Sequence, residues 1–188
     1  MTIEPAFVIR LWLLGAVTVI LQVAAVSQIS LLGVSADLAP LVVASVALLC
    51  GSLTGAVTGF GMGLFVDIVL LQTLGESSLL YVAIGYAIGR LRELRDPSHA
   101  LVPVAAGAAA TAIATVGFSL MQFLLGVDAP VSLLLVREIL ATILVNTVLA
   151  LPIYALVRRI LLPYLPDDPR RRRRRAYVSG GLSPIARS

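Results

Sequence analysis

Apolar residues run through this chain in long blocks separated by short polar stretches, and the block lengths set the first expectation. The first block, Phe7 to Val26, is long enough to cross a hydrocarbon core of about 30 Å. A cleaved signal peptide is the competing reading, because Ala25-Val26-Ser27 resembles a cleavage site. The apolar run is too long for a signal h-region, however, and further spans follow it. Ser35-Ala36-Asp37 is a helix-start signal, with Pro40 tolerated in the first turn, and predicts a second segment from Leu38 to Cys50. At about 1.5 Å per residue that segment is short for a full crossing, so it is either re-entrant or a locally thinned span. Gly51-Ser52 predicts a tight turn into a third segment, Leu53 to Leu71. The fourth is Ser78 to Gly89, the fifth Leu101 to Leu125 and the sixth Leu133 to Val157. The pattern predicts an all-α integral membrane protein, a six-helix transmembrane bundle over residues 1–162. Residues 163–188, with Pro166-Asp167-Asp168-Pro169 and six consecutive arginines, read as a disordered cytoplasmic tail.

Composition supports that picture and excludes a soluble domain. Hydrophobic residues make up 59% of the chain and charged residues 13%, against roughly 45–50% and about 25% in soluble globular domains. All 14 basic residues are arginine, and their placement gives the orientation. Arg90, Arg92 and Arg95 mark one inside loop; Arg158, Arg159 and the Arg170–Arg175 run mark an inside C-terminus. Two spans lie between these clusters, as parity requires, and counting back four spans places the N-terminus inside as well. The stretches Ser27 to Asp37, Gln72 to Ser77 and Gly126 to Ser132 contain no arginine and read as outside loops. A five-span chain lacking the second segment would instead place the N-terminus outside. One cysteine, Cys50, excludes an internal disulfide, and the single His99 has no metal-ligand spacing around it. No cofactor is therefore expected, and the length leaves no room for a sizeable extramembrane domain.

Three spans carry small residues in a four-residue register. Gly55, Gly59, Gly63 and Asp67 share one face of the third; Tyr81, Gly85 and Gly89 recur on the fourth; Gly107, Thr111, Thr115 and Ser119 on the fifth. Such faces let membrane helices approach closely where no hydrophobic force drives them together. Glycine is also simply common in membrane helices, but repetition of the register favours packing faces. Asp67 is the costlier residue, since a carboxylate at the bilayer centre is penalised by roughly 2.5–3.5 kcal/mol. It lies about one turn from the outer end of its helix, which avoids part of that cost. Glu138 lies at similar depth on the sixth span, beside Arg137, and Glu138, Thr142 and Asn146 form a polar stripe above Pro152. These carboxylates either tie helix ends together and dock partners, or belong to a relay, which would need a longer chain of ionisable groups. No Ser-His-Asp or Cys-His constellation and no phosphate-cradling loop is present. The tail arginines Arg170, Arg171, Arg172, Arg173, Arg174 and Arg175 suit anionic lipid, at about 1 kcal/mol each, better than nucleic acid, because they are tethered at a membrane.

Gly55-Ala56-Val57-Thr58-Gly59-Phe60, Gly63-Leu64-Phe65-Val66-Asp67, Leu74-Gly75, Leu79 and Gly85-Tyr86-Ala87-Ile88-Gly89, taken in order, resemble the signature of the MreD family of rod shape-determining membrane proteins. Glu138, Asn146 and Pro152 are similar to that family's last span. The resemblance covers residues 10 to 160, and its specific part is 55 to 89. It implies a non-enzymatic scaffold of the bacterial elongation complex in the inner (cytoplasmic) membrane. The implied partners are MreC, a RodA-type glycan polymerase, a class B penicillin-binding protein and, in many bacteria, the actin-like MreB. It also implies a fold similar to the vitamin-binding S-components of energy-coupling-factor transporters. Helix packing or partner docking then falls to Gly55, Gly59, Gly63, Asp67, Gly85, Tyr86, Gly89, Glu138 and Asn146. The arginine-rich tail is longer than the family pattern. An S-component-like solute transporter subunit is the alternative, and a lipid-linked-precursor enzyme is a further one, disfavoured by the shortage of inside-facing carboxylates.

Overall fold

Each predicted apolar block is a helix in the computed structural model, which describes residues 5–28, 37–94, 101–126 and 133–164. The helices are α1 (Pro5–Gln28), α2 (Leu38–Cys50), α3 (Ser52–Val69), α4 (Glu76–Leu94), α5 (Leu101–Leu124) and α6 (Leu133–Leu161). A short 3-10 turn, Leu162–Tyr164, follows α6. Among the described residues there is no strand. Residues 165–188, including Arg170–Arg175, lie outside the described residues, as do His99, Arg95 and most of the first and third arginine-free loops.

The short second segment is the centre of the bundle. Every residue from Ala39 to Leu49 is buried, on all faces of the helix. Helices α1, α3, α4, α5 and α6 all pack against it. That burial explains its composition: a helix touched on every side has no polar face to display. Its small residues Ala39, Ala44, Ser45 and Ala47 let the neighbours close in. Four helices are long and apolar enough to cross a membrane: α1, α3, α5 and α6. Helix α2 is too short for that, and α4 carries Glu76, Arg90, Arg92 and Glu93 at its ends. The outward faces are apolar, with Ile9, Trp12, Leu53, Val57, Leu120, Leu144 and Val148 all more than half exposed, the inverse of a soluble helix and the surface that lipid tails favour.

Two local features set the topology. Gly51, at φ +96°, alone separates α2 from α3, and its N–H donates to the Ala47 carbonyl at 2.9 Å. A left-handed φ of this kind is open to glycine at little cost. The second is Pro152, through which α6 runs unbroken; its ring removes one backbone donor from a helix whose outer face at this point is exposed. Boundaries differ from the sequence expectation mainly in α4, which begins two residues earlier and ends five residues later than Ser78 to Gly89. The end carrying Arg90 and Arg158 is called the arginine end below, and the opposite one the far end.

Candidate functional site

Among the described residues the tightest packing is the antiparallel seam between α3 and α4. A methyl group at Gly59 would strike the Tyr81 carbonyl, at Gly63 the Ser77–Ser78 backbone, and at Gly89 the Gly51–Ser52 backbone. At Gly55 it would lie 2.7 Å from the Gly85 carbonyl oxygen, and at Gly85 it would collide with the Gly55 carbonyl. The last two are reciprocal: each glycine's Cα faces the other's carbonyl oxygen, the arrangement of paired Cα–H···O contacts. Backbones can approach this closely only where no Cβ intervenes, which is how helices gain dispersion energy inside lipid. Gly55 also meets Ala47 of α2, at 2.6 Å between the added carbon and the alanine methyl. The seam is therefore locked to the central helix.

Each end of the seam is closed by a carboxylate reaching from one helix to the start of the other. At the far end Asp67, fully buried, accepts from the Gly75 N–H at 2.8 Å through Oδ2 and from the Ser77 N–H at 3.1 Å through Oδ1. These are the amides of the residue before α4 and of its second residue, donors that the helix start leaves unpaired and where its dipole favours a negative charge. At the arginine end Glu93 Oε1 accepts from the Ser52 N–H at 3.0 Å and from the Ser52 hydroxyl at 2.6 Å, at the first residue of α3. Arg90 pairs with Glu93 Oε2 at 3.0 Å. The Ser52 hydroxyl, then the Ser52 N–H, then Arg90 hold the Glu93 carboxyl down at about 2. Glu93 lies beyond the apolar part of α4 and is solvent-exposed.

A second polar cluster surrounds the start of α2. Gln22 of α1 donates to Asp37 Oδ1 at 2.6 Å and accepts from the Ala39 N–H at 3.0 Å, serving as the cap that Asp37 itself does not provide. Asn146 of α6, fully buried, donates to the Asp37 carbonyl at 3.0 Å and to the Thr111 hydroxyl of α5 at 3.2 Å. Thr111, Thr115 and Ser119 bond back to the carbonyls four residues earlier, so their register satisfies its own hydroxyls. The cluster thus joins α1, α2, α5 and α6.

Of the residues singled out from the sequence, Gly55, Gly59, Gly63, Gly85 and Gly89 meet in the seam, Asp67 closes it, and Asn146 lies in the second cluster. Tyr86 does neither: it is 54% exposed on the outer face of α4, away from the seam. Glu138 is within α6, but its side chain lies outside the described residues. Sequence reasoning passes over Gln22, Glu93 and the first turn of α4. Gln22 is detectable as a carboxamide inside an otherwise apolar span, which needs a partner. Glu93 is not, because its partner Ser52 is 41 residues away. No group of three or more metal-ligating side chains is present among the described residues.

No curated protein and no solved structure matches the chain. A family model does, that of the rod shape-determining protein MreD, over residues 3–160. The match spans all six helices, from the first turn of α1 to the last turn of α6, and with the four membrane-length helices it makes this a membrane protein with a role in determining rod shape. The chain belongs to the MreD family.

Proposed function

We propose that the protein is a non-enzymatic membrane scaffold of the elongation complex, binding MreC and, with it, a RodA-type glycan polymerase and a class B penicillin-binding protein. Family membership over residues 3–160 is the observation that carries this reading. In it, the bundle is a multi-pass protein of the bacterial inner membrane with both termini cytoplasmic, as the arginine clusters favour. The α3–α4 seam is then the rigid element that presents outward residues to partner helices. Tyr86, exposed beside the buried Gly85 and Gly89, is the natural contact: an aromatic side chain loses little entropy when a partner covers it. Asp67 acts indirectly, by holding the seam that places that face. The arginines 170–175 add an attachment to anionic lipid on the cytoplasmic side.

The test is purification of the tagged protein in mild detergent from its own host, with bound partners identified by mass spectrometry. Recovery of MreC with a glycan polymerase or penicillin-binding protein is expected, and Tyr86→Ala should lower it without changing the amount of protein in the membrane. Recovery of an energy-coupling ATPase pair in their place would refute the scaffold reading in favour of a transporter subunit.

A further inference from the structure

The α3–α4 seam accounts for Gly55, Gly59, Gly63, Gly85 and Gly89, but not for Gly15 of α1 or Gly61 of α3. Those two face each other's helix. A carbon added at Gly61 would lie 3.0 to 3.5 Å from the benzene edge of the Trp12 indole, and one at Gly15 would lie 3.2 Å from Met62 Cγ. Side chains here rest on bare backbone, and between the two helices runs a cleft of about 240 Å³. Trp12, Gly15 and Ala16 line it from α1, and Thr58, Gly61 and Phe65 from α3. Both helices are of membrane length, and Trp12 at the rim is 62% exposed, so the cleft opens on the lipid-facing side of the bundle.

The lining decides what can fill it. Thr58 brings the one side-chain hydroxyl among the residues just named, and it already donates to the Thr54 carbonyl at 2.7 Å. The walls therefore offer little to water, which needs about two to four polar partners to stay in such a space. A membrane helix, about 10–12 Å across with its side chains, is too wide to enter a cleft of this size between neighbouring helices. A single hydrocarbon chain is not. The rim describes the rest of the ligand. Trp12 makes no hydrogen bond with another described residue, and an indole N–H outside water needs an acceptor. Tryptophan near the end of a membrane helix meets that need at the headgroup level. Arg10, two residues earlier in α1, places a positive charge at the same depth, which complements a phosphate.

We propose that the α1–α3 cleft is a phospholipid site. One acyl chain of a lipid from the arginine-end leaflet lies in the cleft, and an ester or phosphate oxygen of that lipid accepts from Trp12 Nε1. The lipid completes the contact between α1 and α3 where Gly15, Ala16 and Gly61 leave it open. The site depends on the chain being in a membrane and not on which proteins it binds, so it stands or falls separately from the scaffold reading.

Trp12 is the single tryptophan of the chain, so its fluorescence reports on the cleft directly. The purified full chain, stripped of co-purified lipid in uncharged detergent, is titrated with phosphatidylglycerol brominated on its acyl chains, bromine being a contact quencher. Quenching should saturate near one phospholipid per chain and persist when the detergent is doubled at a fixed ratio of lipid to protein. Quenching that follows the ratio of lipid to detergent without saturating marks a lipid merely dissolved in the micelle, and overturns the proposal. Ala16→Leu fills the cleft and leaves Trp12 in place, and should raise the half-saturating lipid concentration by about tenfold. Val17→Leu, on the exposed side of the same turn, should leave it unchanged. Trp12→Phe keeps a ring beside Gly61 and removes the N–H, and native mass spectrometry should then show less phospholipid retained than by the native chain. Equal retention, or saturation unaltered by Ala16→Leu, refutes the site. If quenching never saturates while Ala16→Leu lowers recovery of MreC or alters self-association, the cleft seats a protein helix and the lipid assignment is wrong.

Discussion

Replacing Asp67 with asparagine isolates the far-end closure of the α3–α4 seam. The shape is kept, but one of two acceptor oxygens becomes an amino group. Asp67 takes one backbone N–H on each oxygen, from Gly75 and Ser77. In any rotamer the substituted asparagine therefore satisfies one of them and directs a donor at the other. Hydrogen bonds to a charged group contribute about 1.5–3 kcal/mol each, and an amide left unpaired costs about 1–3 kcal/mol. Asp67 is fully buried, so solvent does not screen these terms. Relief of repulsion with the Glu76 carboxyl works in the opposite direction and removes part of the loss. The expected net destabilisation is about 2–3 kcal/mol. The assay is reversible unfolding of the purified chain in mixed micelles of increasing denaturing-detergent content, followed by far-UV circular dichroism. Asp67→Ala, which unpairs both amides, should be worse than Asp67→Asn. A value for Asp67→Asn within about 0.5 kcal/mol of the native chain, the ordinary range of surface substitutions, would refute the view that this carboxylate holds the start of α4.

Gly59→Ala and Gly85→Ala each insert a methyl group into backbone across the seam and should cost more than about 2 kcal/mol, whereas Gly117→Ala, which meets only the flexible end of Leu80, should cost less; the same unfolding assay ranks them. Acidification tests the other closure. Glu93 is held at about 2 against an ordinary 4.5, so its contribution is complete above 4.5 and is lost as pH falls toward 2. Glu93→Gln should accordingly flatten the acid limb of the native stability profile between pH 5 and 2.5, and an unchanged limb would refute this. Asn146→Leu removes the donor to Asp37 and Thr111 and should destabilise by about 1–3 kcal/mol, with Asn146→Asp also destabilising because it buries a carboxylate oxygen against the Asp37 carbonyl. Replacing Arg170–Arg175 with serine should weaken binding of the chain's C-terminal peptide to vesicles containing anionic lipid, measured by flotation, and leave neutral vesicles unaffected.

The residues that the sequence exposes most clearly are those whose role is expressed by local spacing. Gly55, Gly59 and Gly63 fall on one face because the helix repeat puts them there, and the structure finds them in one seam. The same reasoning groups Tyr86 with Gly85, since both belong to the family motif, yet one position along a helix turns the side chain by about 100° and carries Tyr86 outside. Asp67 is legible as a costly residue near a helix end, but the identity of the helix end it serves is not, since Gly75 and Ser77 are linked to it through a turn that has to fold first. The short length of α2 reads as a re-entrant or thinned span. Only tertiary contacts reveal that it is the element all the others surround.

The burial of α2 has a consequence for biogenesis. A segment of 13 residues rises about 20 Å as a helix, roughly two thirds of a hydrocarbon core, and is a poor substrate for lateral release on its own. It is joined to α3 through a single residue, Gly51. The insertion machinery therefore encounters α2 and α3 as one helical hairpin, in which the longer partner supplies the hydrophobicity to partition both. Until α4, α5 and α6 have been synthesised, the alanine-rich faces of α2 stay open to lipid. Completion of the last helix, with Asn146 reaching the start of α2, is the event that seals the bundle, so truncation within α6 leaves its most central element unprotected from membrane quality control.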